Sequence, residues 1–194
     1  MANLYLLKIT LVGSQPCIWR KVVVPSNITL EDLHYVIQNV MSWENDHLHM
    51  FCLGKDILTA PTDPFMPDSE EESLVLKDYL PLANRRKPLS YIYDFGDDWT
   101  HEITLEDKNY KKSENSKNIA CIDGEFASPP DDIGGVYEYA EIYKLLKKKA
   151  PLPEPYDEWF EEDYDPDFFD IEEINEDLCS TSLVDDYDDS ETTE

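Results

Sequence analysis

The four histidines of the chain, His34, His47, His49 and His101, all fall inside stretches dense in aromatic residues and aspartate. Neutral imidazole and carboxylate are good ligands for zinc or manganese. His47 and His49 stand two apart in a run that reads as a strand, so they share one face. With His101 and Asp97 they form a candidate set for a divalent metal, and a metal-dependent hydrolase is one reading of the chain. The competing reading is structural: the same imidazoles bond backbone and carboxylate groups and hold loops in place.

Two further groups can bind a ligand or partner. Arg20 follows Trp19 on a strand and so faces the opposite side. It suits either an anionic group or an ion pair with one of the many acids. The segment Pro129-Pro130-Asp131-Asp132, followed by Gly134-Gly135, reads as a rigid loop able to shape a pocket rim. Candidate ligand- or partner-binding residues are therefore Arg20, Trp99, Asp131 and Asp132. Trp99 also reads as core, together with Trp19, Trp43 and Tyr93. Asp94, Asp97 and Asp98 surround a turn, where aspartate commonly bonds local amides and Gly96 permits positive φ. P-loop, G-x-G-x-x-G, G-x-S-x-G and H-E-x-x-H motifs are absent, and no catalytic residue is assigned.

The elements that must position these groups follow from periodicity. Leu4–Val12 and Cys17–Val24 read as an antiparallel hairpin across Gly13-Ser14-Gln15-Pro16. Leu30, Leu33, Val36, Ile37, Val40 and Met41 form one apolar helical stripe, with Thr29 as N-cap. His47–Leu53 reads as a third strand. Leu89–Asp94 and Trp99–Asp107 read as a second hairpin, and Cys121–Gly135 as an irregular ordered loop. Tyr137–Lys149 is helical, and residues 168–178 carry apolar spacing for a short docking helix. The order strand, strand, helix, strand, hairpin implies an α+β fold with a β-grasp-like mixed sheet, C-terminal helices and an acidic tail. The expected organisation is a domain over 1–150, an acidic arm over 151–179 that docks back on it, and a disordered tail over 180–194.

Charge sorts the partners. The net charge is −27, and residues 151–194 hold 19 of the 43 acids with neither Lys nor Arg. Such a chain repels phosphate backbones, so direct nucleic-acid binding is disfavoured. A basic partner, or mimicry of nucleic-acid charge, fits instead. No apolar run is long enough to span a membrane, and the start lacks signal-peptide character. Four scattered cysteines without a C-x-x-C pair suit a reducing cytoplasm.

Several stretches exceed what core patterning needs: PCIWRKVVVP (16–25), TLEDLHYVI (29–37), MSWENDHLHMF (41–51), YIYDFGDDWTHEI (91–103), CIDGEFASPPDDIGG (121–135) and DPDFFDIEEINEDL (165–178). In this order they resemble the plasmid pRiA4b ORF-3-like family, also labelled insertion-element passenger or TnpR-type proteins, over about residues 3–178. The resemblance implies a compact α+β domain common in bacteria, plasmids and mobile elements. A recombinase role conflicts with the residues: the arginines are Arg20, Arg85 and Arg86, and no basic helix-turn-helix appears. Relatives with extra cysteines around the PP-[ED]-D-x-GG loop differ from this chain, which has Ser128 and Ile133 there. The reading that results is a non-enzymatic binding or adaptor domain for a protein or small ligand. A His/Asp metal hydrolase and an acidic nucleic-acid mimic are the alternatives.

Overall fold

The alternation in the first strand becomes a sheet with one covered face. In β1 (Leu4–Leu11), Tyr5, Leu7, Ile9 and Leu11 are buried while the residues between them are half-exposed, the period-two pattern of a strand under one layer of helices. A computed structural model describes residues 2–59, 70–113, 116–160, 164–181, 183, 184 and 187. The further elements are β2 (Trp19–Pro25), α1 (Leu30–Val40), β3 (His49–Leu53), β4 (Asp56–Ile57), α2 (Leu76–Tyr79), β5 (Leu89–Tyr93), β6 (Trp99–Asp107), β7 (Ala120–Glu125), α3 (Gly135–Lys148) and α4 (Ile171–Ser180).

The strands form a seven-stranded sheet in the order β4-β3-β5-β6-β1-β2-β7. Every ladder is antiparallel, which corrects the expected mixed, β-grasp-like sheet. The order of elements was legible; the direction at the centre was not. The β5–β6 hairpin inserts between β3 and β1, so strand direction alternates across the insertion and β6 meets β1 antiparallel.

Helix α1 crosses the covered face. Thr29 caps it, its Oγ1 accepting from Asp32 N at 3.0 Å. The stripe Leu30, Leu33, Val36, Ile37 and Val40 is fully buried, worth roughly 2 kcal/mol per side chain. The same face of the sheet runs Leu53, Leu89, Ile103, Ile9 across four strands and then reaches Arg20. Arg20 thus belongs to the core side, and Trp19 to the open side. There Trp19 is half-exposed beneath Lys8 and Lys21, 4.5 and 5.6 Å from its ring, rather than in the core.

Two corrections concern the C-terminal half. The start of the expected irregular loop is strand β7, paired to β2 with a register shift at Lys21/Val22. Gly124 and Asp123 are poor strand formers, so tertiary pairing overrides propensity there. The outer edge of β7 is closed by α4: Asn175 Oδ1 accepts from Cys121 N and Asn175 Nδ2 donates to Cys121 O, at 2.9 and 2.8 Å. A side-chain amide thus stands in for a neighbouring strand. Of the tail expected to be disordered, Leu183 and Val184 are buried in the core, and Tyr187 Oη donates to Asp32 Oδ2. The apolar Leu-Val pair is what holds it; most of 185–194 lies outside the described residues. Among the described residues, no helix is long and apolar enough to cross a membrane.

Candidate functional site

The aromatic signatures converge on the Pro129–Asp132 loop. Trp43 Nε1 donates to Pro129 O and Trp99 Nε1 to Asp131 O, both at 2.9 Å. Tyr93 Oη donates to Asp131 Oδ2 at 2.9 Å and accepts from Asp46 N at 3.1 Å. Trp43 stacks on Tyr93, with ring centroids 5.1 Å apart. Burial raises the pKa of the Tyr93 phenol and of the Asp131 carboxyl. On the far side of the loop, Asp97 Oδ2 accepts from Gly134 N at 2.7 Å. Gly135 has φ +80°, and a Cβ there would lie 2.5 Å from Asp97 O, so no other residue fits without a backbone shift. The turn before β6 works as expected through Asp94 Oδ1, which accepts from Gly96 N at 2.8 Å. The left-handed residues there are Asp94 and Asp98, however, and not Gly96.

The histidines occupy four different settings. His34 belongs to a closed polar ring under α1. Gln38 Nε2 donates to Tyr91 Oη, which donates to His34 Nδ1; His34 Nε2 donates to Asn45 Oδ1, and Asn45 N donates to Gln38 Oε1. Because Asn45 Oδ1 only accepts, His34 carries a proton on Nε2. Burial, with the neighbouring His49 adding to it, lowers its pKa to about 3. His49 stacks on His34 at 3.6 Å and bonds buried Glu71 at 2.9 Å. His101 is fully buried beside Trp43. Its Nδ1 donates to Trp99 O at 3.1 Å, its Nε2 meets no partner among the described residues, and burial lowers its pKa to about 4.

His47 lies before β3 and not on it, so the two-on-one-strand geometry fails. The chain at 45–48 is turned by Asn45, which has φ +60°, and tied by Asp94 N donating to Leu48 O. His47 Nε2 is 3.0 Å from Asp132 Oδ1, and Nδ1 is 4.0 Å from Asp94 Oδ1. The set His47, His49, His101 and Asp97 is therefore not brought together. His49 and His101 are on strands separated by β5, roughly 10 Å at ordinary strand spacing. Among the described residues, the group able to offer three ligand atoms within 4.8 Å of one another is His47, Asp94 and Asp132.

The other candidate site residues divide. Trp99 is fully buried and serves the loop. Arg20 is 1% exposed and, among the described residues, meets no carboxylate at ion-pair distance. Its Nε donates to Val40 O at 3.0 Å, Nη1 to Trp19 O and Glu125 O, and Nη2 to Ser128 Oγ at 2.8 Å. Phe169 lies over the guanidinium at 4.3 Å. The cation thus satisfies the C-terminal carbonyl of α1, where the helix dipole favours positive charge. Burial lowers its pKa to about 10, so it stays charged at neutral pH.

Above Arg20 lies an open hollow of about 690 Å³ between the loop and the acidic arm. One wall is Met41, Ser128, Pro129 and Pro130; the other is Trp159, Phe160, Tyr164, Phe168 and Glu173. The arm is held at the rim by Ala127 N donating to Pro166 O and by Tyr143 Oη and Lys147 Nζ donating to Asp167. Trp159 and Phe168 remain 40% and 61% exposed. Sequence reasoning missed this wall. The available signal was aromatic residues spaced among acids with no base nearby.

Residues 3–173 match the family model described as plasmid pRiA4b ORF-3-like protein. The chain is 30% identical over 150 residues to the uncharacterised protein y4hQ of Sinorhizobium fredii (strain NBRC 101917 / NGR234), covering 77% of this chain and 76% of that protein. It is also similar to the crystal structure of MM3350, a protein of unknown function from Methanosarcina mazei Go1. The TM-score is 0.73 and the identity 35%, over 88% of this chain and 97% of the other. With the match running through nearly all the motifs that build the loop, the sheet and the arm, the chain belongs to the plasmid pRiA4b ORF-3-like family.

Proposed function

We propose that the protein is a non-enzymatic binding module whose docking site is the hollow between the Pro129–Asp132 loop and the acidic arm. The observation that carries this reading is the hollow itself. It has the size of ordinary ligand sites and is walled by prolines and by aromatic side chains left in solvent. Trp43, Trp99 and Arg20 are engaged in holding the loop wall. A larger hollow of about 810 Å³ lies across the Phe160–Tyr164 pair, but there Lys147 and Lys149 share the lining with Asp165. Screening displayed random peptides against the full chain tests the proposal. Enriched sequences should lose binding to the Trp159→Ala/Phe168→Ala variant; enrichment indifferent to that change would contradict it.

His47, Asp94 and Asp132 favour a second reading, a divalent metal centre serving hydrolysis. Both ring nitrogens of His47 already face carboxylates on opposite sides, a geometry that suits an ion-pair clasp between two loops equally well. Zinc or manganese titration by calorimetry separates the two. Micromolar binding lost in His47→Ala supports the metal, and heat indistinguishable from buffer supports the clasp.

A further inference from the structure

We infer that the hollow's occupant is a basic protein segment whose lysine or arginine side chains seat between the exposed aromatics and the acids of the arm. This rests on the docking reading above. Residues 151–194 contain no Lys or Arg, so nothing within the arm neutralises its own acids. Glu173 and Asp165 line the hollow and are exposed; Glu173 pairs with no base among the described residues, while Asp165 also faces the neighbouring hollow that holds Lys147. The one base in the lining, Arg20, lies beneath Phe169 with its donors committed to three backbone carbonyls and Ser128.

Exposed indole and phenyl faces beside unpaired carboxylates attract cations twice, through the ring quadrupole and through charge. An acidic or phosphorylated segment would be repelled. A neutral apolar one would desolvate the carboxylates without pairing them. The chain already shows this chemistry within itself: Arg20 stacks on Phe169 beneath the hollow, and on the open face of the sheet two lysines flank Trp19.

The test is fluorescence anisotropy of a short labelled lysine–alanine peptide with the full chain, beside its glutamine–alanine counterpart and with spermidine as competitor. The lysine peptide should bind and the glutamine peptide should not. Affinity should fall roughly tenfold in Trp159→Ala/Phe168→Ala and by several-fold in Glu173→Lys. An unchanged melting midpoint would show that both variants fold. If both peptides bind and both lose affinity in the double variant, the hollow is a docking site but the cation inference is overturned. Lysine-peptide binding unchanged by the double variant would place it on the diffuse charge of the tail and also overturn the inference. Spermidine binding with the same dependence on Trp159 and Phe168, and displacing the peptide, would make the ligand a small polyamine and not a protein. If neither peptide binds the wild-type chain, both the inference and the docking reading fall.

Discussion

The two walls of the hollow are built on opposite plans. On the loop side, Trp43, Trp99 and Tyr93 each spend a polar hydrogen on the Pro129–Asp132 loop, and Arg20 spends its donors on carbonyls. On the arm side, Trp159 and Phe168 stay in water beside Glu173, which meets no base among the described residues. Buried polar groups bonded to one another make a frame, with His101 Nε2 and Asp131 Oδ1 the buried atoms left out of it on this side. Exposed aromatics amid unpaired charge make a surface with binding energy to give. The most distinctive motifs of the chain, those with histidine and tryptophan, belong to the frame.

Changes on the two sides should therefore differ in kind. Trp99→Ala removes a fully buried indole and the bond to Asp131 O. It should cost about 4 kcal/mol of unfolding free energy, read by urea titration; a loss below about 1 kcal/mol would break the contrast. Arg20→Ala strips Val40 O, Glu125 O and Ser128 Oγ of their donor and opens a cavity under Phe169. The expected loss is about 3 kcal/mol. Arg20→Lys should recover little of it, since an ammonium cannot reproduce the planar fork.

His101 sharpens the comparison through pH. Its folded pKa of about 4 lies below the ordinary value of 6.5, so the unfolded chain takes up the proton first. Its contribution is complete above pH 6.5 and is lost as pH falls toward 4. Between pH 6.5 and 5 that amounts to about 2 kcal/mol. His101→Phe should shrink the stability difference between pH 7 and 5 by this amount, measured by chemical denaturation at both values. An identical pH dependence in wild type and variant would remove His101 from the frame. His34, held lower still by burial and by His49, remains in both proteins and cancels. The smallest effect is expected on the arm. Trp159→Ala/Phe168→Ala should change stability by less than about 0.5 kcal/mol each, while abolishing most of the affinity of any groove ligand.

Much of the frame was legible in the sequence because it rests on local signals. Thr29 capping α1, the apolar stripe from Leu30 to Val40, the β5–β6 hairpin and the burial of Trp43, Trp99 and Tyr93 all follow from periodicity and turn chemistry. What failed was non-local. The direction of β6 against β1 depends on where a hairpin inserts, and β7 exists because β2 offers it an edge. His47 slips off β3 because Asn45 turns the chain before it and Asp94 N ties down Leu48 O after it. Trp19 reads as core and Arg20, by alternation, as facing the opposite side; the structure keeps the alternation and reverses the faces, because Arg20 finds carbonyl partners in the interior. The arm wall is not legible in the sequence, because aromatics among acids read as a solvated segment until the fold sets them across from a proline loop.

Amide hydrogen exchange of the full chain, with and without a saturating lysine–alanine peptide, tests the division most directly. Protection is expected to rise at residues 127–128 and 159–174 and to stay unchanged across the frame at 91–101. Protection gained at 91–101 with none on the arm would mean that the histidine and tryptophan motifs receive the ligand, and the account would be wrong.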